Sequence, residues 1–383
     1  MAYRNVLNFL FSLAIIYLTF SFMPSVCDIF VKFSVVILAI KLAEWIMTTS
    51  RKYFFYDKIS CKNKAIFITG CDSGFGHALA MRMNRLGYRV FAGCLFPNGE
   101  GAKMLANNCS FKLLVVPLDV TDDRSVDSAK DFVMKNLGND VLWAIVNNAG
   151  VGQAALIDWT PISELEKIFA VNTFGVVRVT KTFLPFLKKS RGRVVNVTSF
   201  AGQVCSPGYV GYCMSKSAAV SFTSGLRMEM AIWGIKVISI EPFFYATPIT
   251  KRETTIDLIE KAWAKNPLNV QEEYGEEYKE NLKNKCIRLL AASNPEIDEV
   301  VTCLEDAIIA EEPLAAYFPC HFLHKIMIAL FRAFPMVAAE TLMKACLNRR
   351  NKPLALRNYG KESMIRSAKG NDGPTPNGHH KEE

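Results

Sequence analysis

No two of the chain's 11 cysteines are spaced as CxxC, and its five histidines form no Cys/His cluster with zinc-ligand spacing. A structural zinc needs four such ligands brought into register, so the sequence offers no metal site. The cysteine count is odd, and the thiols stand singly in apolar stretches. That pattern reads as buried free thiols in a reducing compartment, without a disulfide framework. A basic stripe is missing as well. The 383 residues carry a formal charge of +9, but Lys and Arg are scattered, with small groups at Arg51-Lys52, Lys188-Lys189-Ser190-Arg191 and Arg349-Arg350. Nucleic-acid binding requires clustered charge and is not expected. Attraction to an anionic membrane surface is the remaining use for the excess. No internal repeat is present.

Apolar sequence is plentiful by contrast, with half of the residues hydrophobic. Part of it is concentrated at the start. Val6 to Met23 is an uncharged apolar run of 18 residues, the lower limit for spanning a bilayer's hydrocarbon core. Pro24-Ser25-Val26-Cys27-Asp28 makes a poor signal cleavage site, so an uncleaved anchor is expected. A second stretch, Ile29 to Met47, is interrupted by Lys32, Lys41 and Glu44. It either crosses beside the first or lies in the interface. Arg4 precedes the first run, and Arg51, Lys52 and Lys58 follow the second. This arrangement favours a hairpin with both ends in the cytosol.

From Lys64 onward, short β-branched runs alternate with amphipathic stretches. Strands are predicted at Ala65–Thr69, Tyr88–Leu95, Lys112–Leu118, Leu142–Val146, Arg193–Val197 and Lys236–Ile240. Helices are predicted near His77–Leu86, Leu165–Lys188 and Tyr212–Ile232. Such alternation implies an α/β fold with a doubly wound parallel sheet and a site at the strand carboxyl ends. After about Thr250 the alternation gives way to helical character, with an apolar stretch at Phe322–Ala339. Residues 368–383 are polar and rich in Gly, Pro, His and Lys, the composition of a disordered tail. Four regions result: 1–58 as membrane anchor, 59–250 as catalytic domain, 251–367 as helical cover, and 368–383 as tail.

Three motifs carry chemistry. Thr69-Gly70-Cys71-Asp72-Ser73-Gly74-Phe75-Gly76 follows the first strand and opens a helix, where glycines let backbone approach a pyrophosphate at a helix N-terminus. Its spacing is GxxxGxG. Asn147-Asn148-Ala149-Gly150 follows the fourth strand. Ser199 follows the fifth, with Tyr212-Cys-Met-Ser-Lys216 beginning thirteen residues later. Tyr and Lys at i and i+4 share one helix face. A free phenol's pKa is too high for a base at neutral pH, and a neighbouring ammonium lowers it.

These motifs, in this order and spacing from about Lys62 to Thr250, resemble the short-chain dehydrogenase/reductase family. The resemblance implies a Rossmann-type fold, to which the residue pattern adds the N-terminal membrane segment and a helical C-terminal extension. It assigns Ser199, Tyr212 and Lys216 to catalysis. Asn172, in Val-Asn-Thr-Phe-Gly, matches the fourth member, which kinks a helix and holds a water of the proton relay. Gly70, Asp72, Ser73, Gly74, Phe75 and Gly76 match the phosphate turn, and Asp119-Val120 the adenine contact. Asn147 matches a residue stabilising the central strand, and Ala149 and Gly150 lie along the cofactor. Tyr212, Lys216, Pro242 and Thr247 complete the cofactor contacts. TGCDSGFGHALA, VFAGCL, FLP and GRVVNVTS resemble the branch containing retinol, type 2 17β-hydroxysteroid and 3-hydroxybutyrate dehydrogenases. Members are commonly dimeric or tetrameric through the helices bearing Asn172 and Tyr212, so a homodimer is an expectation. One position departs from the pattern: Phe243 stands where the family keeps a glycine. The change removes easy access to positive φ and adds bulk beside the nicotinamide.

Asp72 in the glycine turn would repel the 2′-phosphate of NADP, and after the second strand no Lys or Arg occurs before Lys103. NAD is therefore the expected cofactor. An anchored enzyme with apolar C-terminal segments (Leu314–Phe318 and Phe322–Met336) suits a lipophilic alcohol, a steroid or a retinoid. The endoplasmic reticulum membrane, with the catalytic domain facing the cytosol, is the expected location. Two alternatives stay open. One is a 3-hydroxybutyrate-type enzyme, which needs a cation for its substrate's carboxylate. The other is a catalytically weak membrane or lipid-droplet binding protein.

Overall fold

The computed structural model describes residues 57–321 without a break, together with 14–18, 21, 28–29, 31–40, 42–43, 46 and 353–356. The chain divides into two compact units. One comprises Met1–Lys58 with Ala310–Glu312. Residues 14–18 and 31–40 are helical there, Lys58 pairs antiparallel with Ala310, and the Glu311 N–H donates to the Asp57 carbonyl at 2.9 Å. Among the described residues no helix is long and apolar enough to cross a membrane. Most of the expected Val6–Met23 anchor, and part of Ile29–Met47, lies outside the described residues.

The second unit, Ile59–Ile309 with Pro313–Glu383, holds the sheet. Its first half runs β1 Lys64–Thr69, α1 Gly74–Arg85, β2 Arg89–Cys94, α2 Glu100–Asn108, β3 Leu113–Pro117, α3 Asp123–Asn136 and β4 Val141–Asn147. The second half runs α4 Ile162–Phe169, α5 Val176–Ser190, β5 Arg193–Val197, α6 Val210–Met230 and β6 Lys236–Ile240. Three helices follow, α7 Arg252–Ala264, α8 Leu268–Tyr274 and α9 Glu276–Ala291, and then α10 Asp298–Ile309 and β7 Ala316–Tyr317. All strands pair in parallel, in the order β3-β2-β1-β4-β5-β6-β7.

A sheet covered on both faces buries alternate side chains in opposite directions. Ile66 and Ile68 of β1 accordingly pack with Leu79 and Met83 of α1 and Leu304 and Ile308 of α10. Ala65 and Phe67 turn the other way, toward Val126 and Val133 of α3 and Val179 and Phe183 of α5. A third cluster joins Ala154 and Trp159 to Ile259 and Trp263 of α7 and Leu282 and Cys286 of α9. The two indoles meet edge to face at 4.7 Å, an arrangement favoured by the ring quadrupoles.

The structure departs from the sequence expectations in three places. The single helix expected over Leu165–Lys188 is two helices, α4 and α5, joined by a π-helical turn at Ala170–Gly175 that carries Asn172. The alternation expected to end near Thr250 resumes with α10 and β7, because a two-residue strand leaves no periodic trace. The predicted cover at Leu314–Phe318 instead forms the β7 edge of the sheet. The stretch Phe322–Ala339 and the tail 368–383 lie outside the described residues. The nine described cysteines are free thiols.

A polar ladder crosses the sheet beneath the site. Asn147 Nδ2 donates to Thr180 Oγ1 of α5 at 2.9 Å and to Asn196 Oδ1 of β5 at 2.8 Å. Asn196 Nδ2 in turn donates to Thr223 Oγ1 of α6 at 2.9 Å. Both asparagines are buried, so an orphaned partner loses solvation without compensation. Asn147→Ala is expected to cost about 2 kcal/mol or more of stability, read as a lower urea midpoint at unchanged slope. A midpoint equal to that of the parent protein would show that the ladder is dispensable.

Candidate active site

A cleft of about 220 Å³ opens at the carboxyl ends of β1, β4, β5 and β6. Its floor begins where the ends of β1 and β4 are bound together. The Thr69 hydroxyl accepts the N–H groups of Asn148 and Ala149, each at 3.0 Å. Asn148 Nδ2 donates back to the carbonyls of Thr69 and Gly70, each at 3.0 Å. Gly70 sits at φ +70°, where a Cβ would lie 2.7 Å from Ala149 Cα. At Gly76 a Cβ would meet the Gly70 carbonyl oxygen at 2.5 Å. The glycine turn thus lies flat against Ala149 and α1 only because both positions lack side chains.

Ser73 at the head of α1 makes no side-chain capping bond, which leaves first-turn N–H groups available for an anion. Asp72 stands beside them. Its carboxylate accepts the N–H groups of Leu95 at 3.0 Å and Phe96 at 2.8 Å, just past β2. Among the described cleft residues Asp72 is the one acid and Lys216 the one cation.

Ser199, Tyr212 and Lys216 converge at the other end. Ser199 precedes the short turn Phe200–Gly202, and its Oγ accepts the Ala201 N–H at 3.1 Å. Burial pushes the pKa of the Tyr212 phenol up to about 12, outweighing the Ser199 side chain, which favours the phenolate. Burial also brings Lys216 down to about 8. Its Nζ donates to the Val197 carbonyl at 3.0 Å and lies 5.8 Å from the centre of the Tyr212 ring. Desolvation is thus the largest effect on both groups.

Asn172 is fully buried. Its Oδ1 accepts the Val151 N–H at 2.9 Å, and its Nδ2 donates to the Val151 carbonyl at 3.0 Å and to Ser215 Oγ at 3.1 Å. Gly150 fits between Asn172 and Lys216: a Cβ there would stand 3.4 Å from Asn172 Oδ1 and 3.6 Å from Lys216 Nζ.

Most of the predicted cofactor residues line this cleft: Gly70, Asp72, Ser73, Gly74, Phe75, Ala149, Gly150, Tyr212, Lys216, Pro242 and Thr247. Gly76, Asp119, Val120 and Asn147 do not. Gly76 lies underneath the turn. The Asp119 carboxylate is engaged with the Thr121 N–H at 2.8 Å and hydroxyl at 2.7 Å. Val120 packs at Gly175. Asn147 alternates away from the cleft into the polar ladder, and Asn148 takes the lining position. Asn148 lay inside the quoted Asn-Asn-Ala-Gly motif, but its role needs the contact between β1 and β4. Tyr245 also lines the cleft; its hydroxyl donates to Glu299 at 2.7 Å and its ring meets Phe75 edge to face.

A second cavity of about 110 Å³ adjoins Ser199 and Tyr212, with Leu258 of α7 and Leu290 of α9 in its walls and no charged residue among those lining it. The apolar lining thus includes Leu258 of α7 and Leu290 of α9, and none of Leu314–Phe318. Phe243 borders both spaces and packs on Phe200 and Phe244 at 4.8 and 4.9 Å. Its backbone does not use positive φ. Among described non-glycine residues only Asn63 and Arg191 do. Phenylalanine is therefore accommodated here without backbone strain, and its effect is one of bulk.

The glycine turn at the β1–α1 junction, the crevice between β1 and β4, and the Ser-Tyr-Lys cluster define a nucleotide-dependent oxidoreductase of the doubly wound class. The short chain dehydrogenase family profile matches residues 64–257, and the chain belongs to the short-chain dehydrogenase/reductase family. It is 39% identical over 265 residues to mouse estradiol 17-beta-dehydrogenase 2, covering 69% of this chain and 70% of that one. It is 38% identical over 258 residues to mouse retinol dehydrogenase 5, covering 66% and 80%. Among solved structures, a short chain dehydrogenase/reductase from Burkholderia phymatum in complex with NAD shares the fold. It has a TM-score of 0.59 and 22% identity over 71% of this chain and 94% of that one.

The titration of Lys216 has a consequence for stability. An unfolded lysine keeps its proton up to about pH 10.4, whereas the folded one loses it near 8. Between those values the unfolded state binds more protons, so stability rises with pH; below 8 the cost of burying the charge is constant. Lys216→Met is thus expected to be the more stable protein at pH 7, by on the order of 3 kcal/mol from this group. The difference should shrink as pH rises from about 8 toward 10. Denaturant titrations across that range check it, and a difference independent of pH would contradict it.

Proposed function

We propose that this protein oxidises the hydroxyl of a lipophilic alcohol, a steroid or a retinoid, with NAD as cofactor. The observation that carries the reading is the uncharged cavity beside Ser199 and Tyr212, walled by Leu258 and Leu290. The names of the relatives in the same family, an estradiol and a retinol dehydrogenase, agree with it. The cleft suits a dinucleotide: the glycine turn leaves room for a pyrophosphate at the head of α1, and Asp72 and Lys216 mark its two ends. When bound, the nicotinamide supplies the hydride acceptor. Ser199 holds the substrate oxygen by a hydrogen bond, Tyr212 takes its proton, and the Lys216 ammonium favours the phenolate. Asn172 supports the relay behind them through its bonds to Val151 and Ser215.

Asp72 supports NAD over NADP. Its carboxylate is pinned by the Leu95 and Phe96 amides, and a 2′-phosphate there would meet negative charge, with the cleft's one cation, Lys216, at the opposite end. The alternative of a hydroxybutyrate is weakened by the second cavity's lack of a cation for the substrate carboxylate. The apolar run Val6–Met23 supports attachment to a membrane, and the membrane-facing location expected from sequence, the cytosolic side of the endoplasmic reticulum, fits such a substrate. A homodimer through α5 and α6 remains part of the reading.

Two measurements test it. Membranes containing the protein should form NADH with estradiol or retinol and not with 3-hydroxybutyrate, and Tyr212→Phe should abolish that turnover, by roughly a thousandfold or more. Oxidation of the hydroxybutyrate alone would overturn the substrate assignment, and full activity of the Phe variant the chemical one. The kcat/KM should favour NAD over NADP, and the reverse order would remove Asp72 from the argument.

A further inference from the structure

The helix that carries Tyr212 and Lys216 starts without a cap of its own. Tyr209 occupies the N-cap of α6 and makes no side-chain capping bond, although the first amides of a helix have no intrahelical acceptor. The Tyr212 N–H is satisfied from another part of the chain: it donates to Gln153 Oε1 at 2.8 Å. Because an amide N–H can only donate, the side-chain oxygen of Gln153 must face it. The other end agrees, since Gln153 Nε2 donates to Thr160 Oγ1 at 3.0 Å and Thr160 donates to the Leu156 carbonyl at 2.8 Å. Gln153 is 7% exposed. The neighbouring residue of α6 leaves space for it: a Cβ at Gly211 would stand 2.6 Å from Gln153 Oε1 and 2.4 Å from Leu165 Cδ2.

The same loop grips α6 at a second point. Val151 exchanges two hydrogen bonds with Asn172, whose Nδ2 reaches Ser215 Oγ at 3.1 Å. Residues 150–153 therefore hold α6 at Tyr212 and again at Ser215, on either side of the turn that aims the phenol at Ser199.

We propose that Gln153 is a positioning residue for the reaction, setting the placement of the Tyr212 hydroxyl against Ser199 by holding the Tyr212 backbone amide. It acts through Tyr212 and rests on the proton-transfer role proposed above. Loss of this bond frees the first turn of α6, and small misplacements of a reacting group cost large factors in rate.

The test compares Gln153→Leu, which keeps the volume and removes the acceptor, with Gln153→Glu, which keeps the acceptor. With estradiol and NAD as probes, Gln153→Leu is expected to lower kcat roughly tenfold to a hundredfold while KM stays within about twofold of the parent value. Hydrogen–deuterium exchange of the full chain should be faster in the peptide spanning residues 209–216. Gln153→Glu should restore slow exchange and most of kcat, and its added negative charge should move the alkaline limb of the pH–rate profile upward. Unchanged exchange in the Leu variant would overturn the proposal, as would faster exchange with unchanged kcat, which assigns Gln153 to stability alone. A rise in KM alone would make it a substrate contact. If the parent protein turns over neither estradiol nor retinol, the substrate reading fails separately. Exchange, together with a crystal structure of the Leu variant, still decides the positioning role, and a Tyr212 hydroxyl unmoved relative to Ser199 there would refute it.

Discussion

The junction of β1 with β4 is the constraint on which the site depends. The sheet grows outward in both directions from this pair, toward β3 on one side and β7 on the other, so connections leave to opposite faces and a crevice opens between them. Thr69 and Asn148 close the bottom of that crevice with four hydrogen bonds. The glycine turn takes its place from that closure. Without it Gly70 would have no Ala149 to lie against, and the head of α1 would not face the cleft.

The chemistry at the far end is held by buried polar groups more than by packing. Asn147 and Asn196 bind α5 and α6 to the middle of the sheet, and Asn172 and Gln153 bind the β4 loop to the start of α6. All four are buried, where a hydrogen bond is strong and an unmatched group is costly. Such a network specifies one arrangement of α6 and accepts few others. Burial also sets the electrostatics. The same desolvation raises Tyr212 and lowers Lys216, because burial disfavours the charged form of each.

Much of this was legible in the residue order. The seven chemistry-bearing positions Gly70, Asp72, Gly74, Ser199, Tyr212, Lys216 and Asn172 stood in recognisable local motifs, because turns, helix faces and strand ends impose short-range spacing. Six of the seven strands were visible as apolar runs for the same reason. At Asn172 the resemblance implied a kink, but its π-helical form did not show in the pattern, since a helical window with about one extra residue per turn keeps nearly the same apolar spacing. β7 escaped because two residues cannot express a period. The lining position of Asn148, next to Asn147, was not legible because adjacent strand residues face opposite ways, and only the neighbouring strands reveal which face is the cleft.

By itself, the sequence determined the alternating architecture, the nucleotide turn and the identity of the Ser-Tyr-Lys cluster, since each is a matter of local geometry repeated along the chain. Tertiary structure alone decided which groups touch. It brought Leu258 of α7 and Leu290 of α9 into the walls of the oily cavity, turned Asn148 toward the cleft, let Phe243 fit without positive φ, and supplied Gln153 to an uncapped helix. These depend on residues far apart in the chain meeting at ångström distances. Hydrogen bonding and desolvation act on that separation in space, for which residue order carries no direct signal.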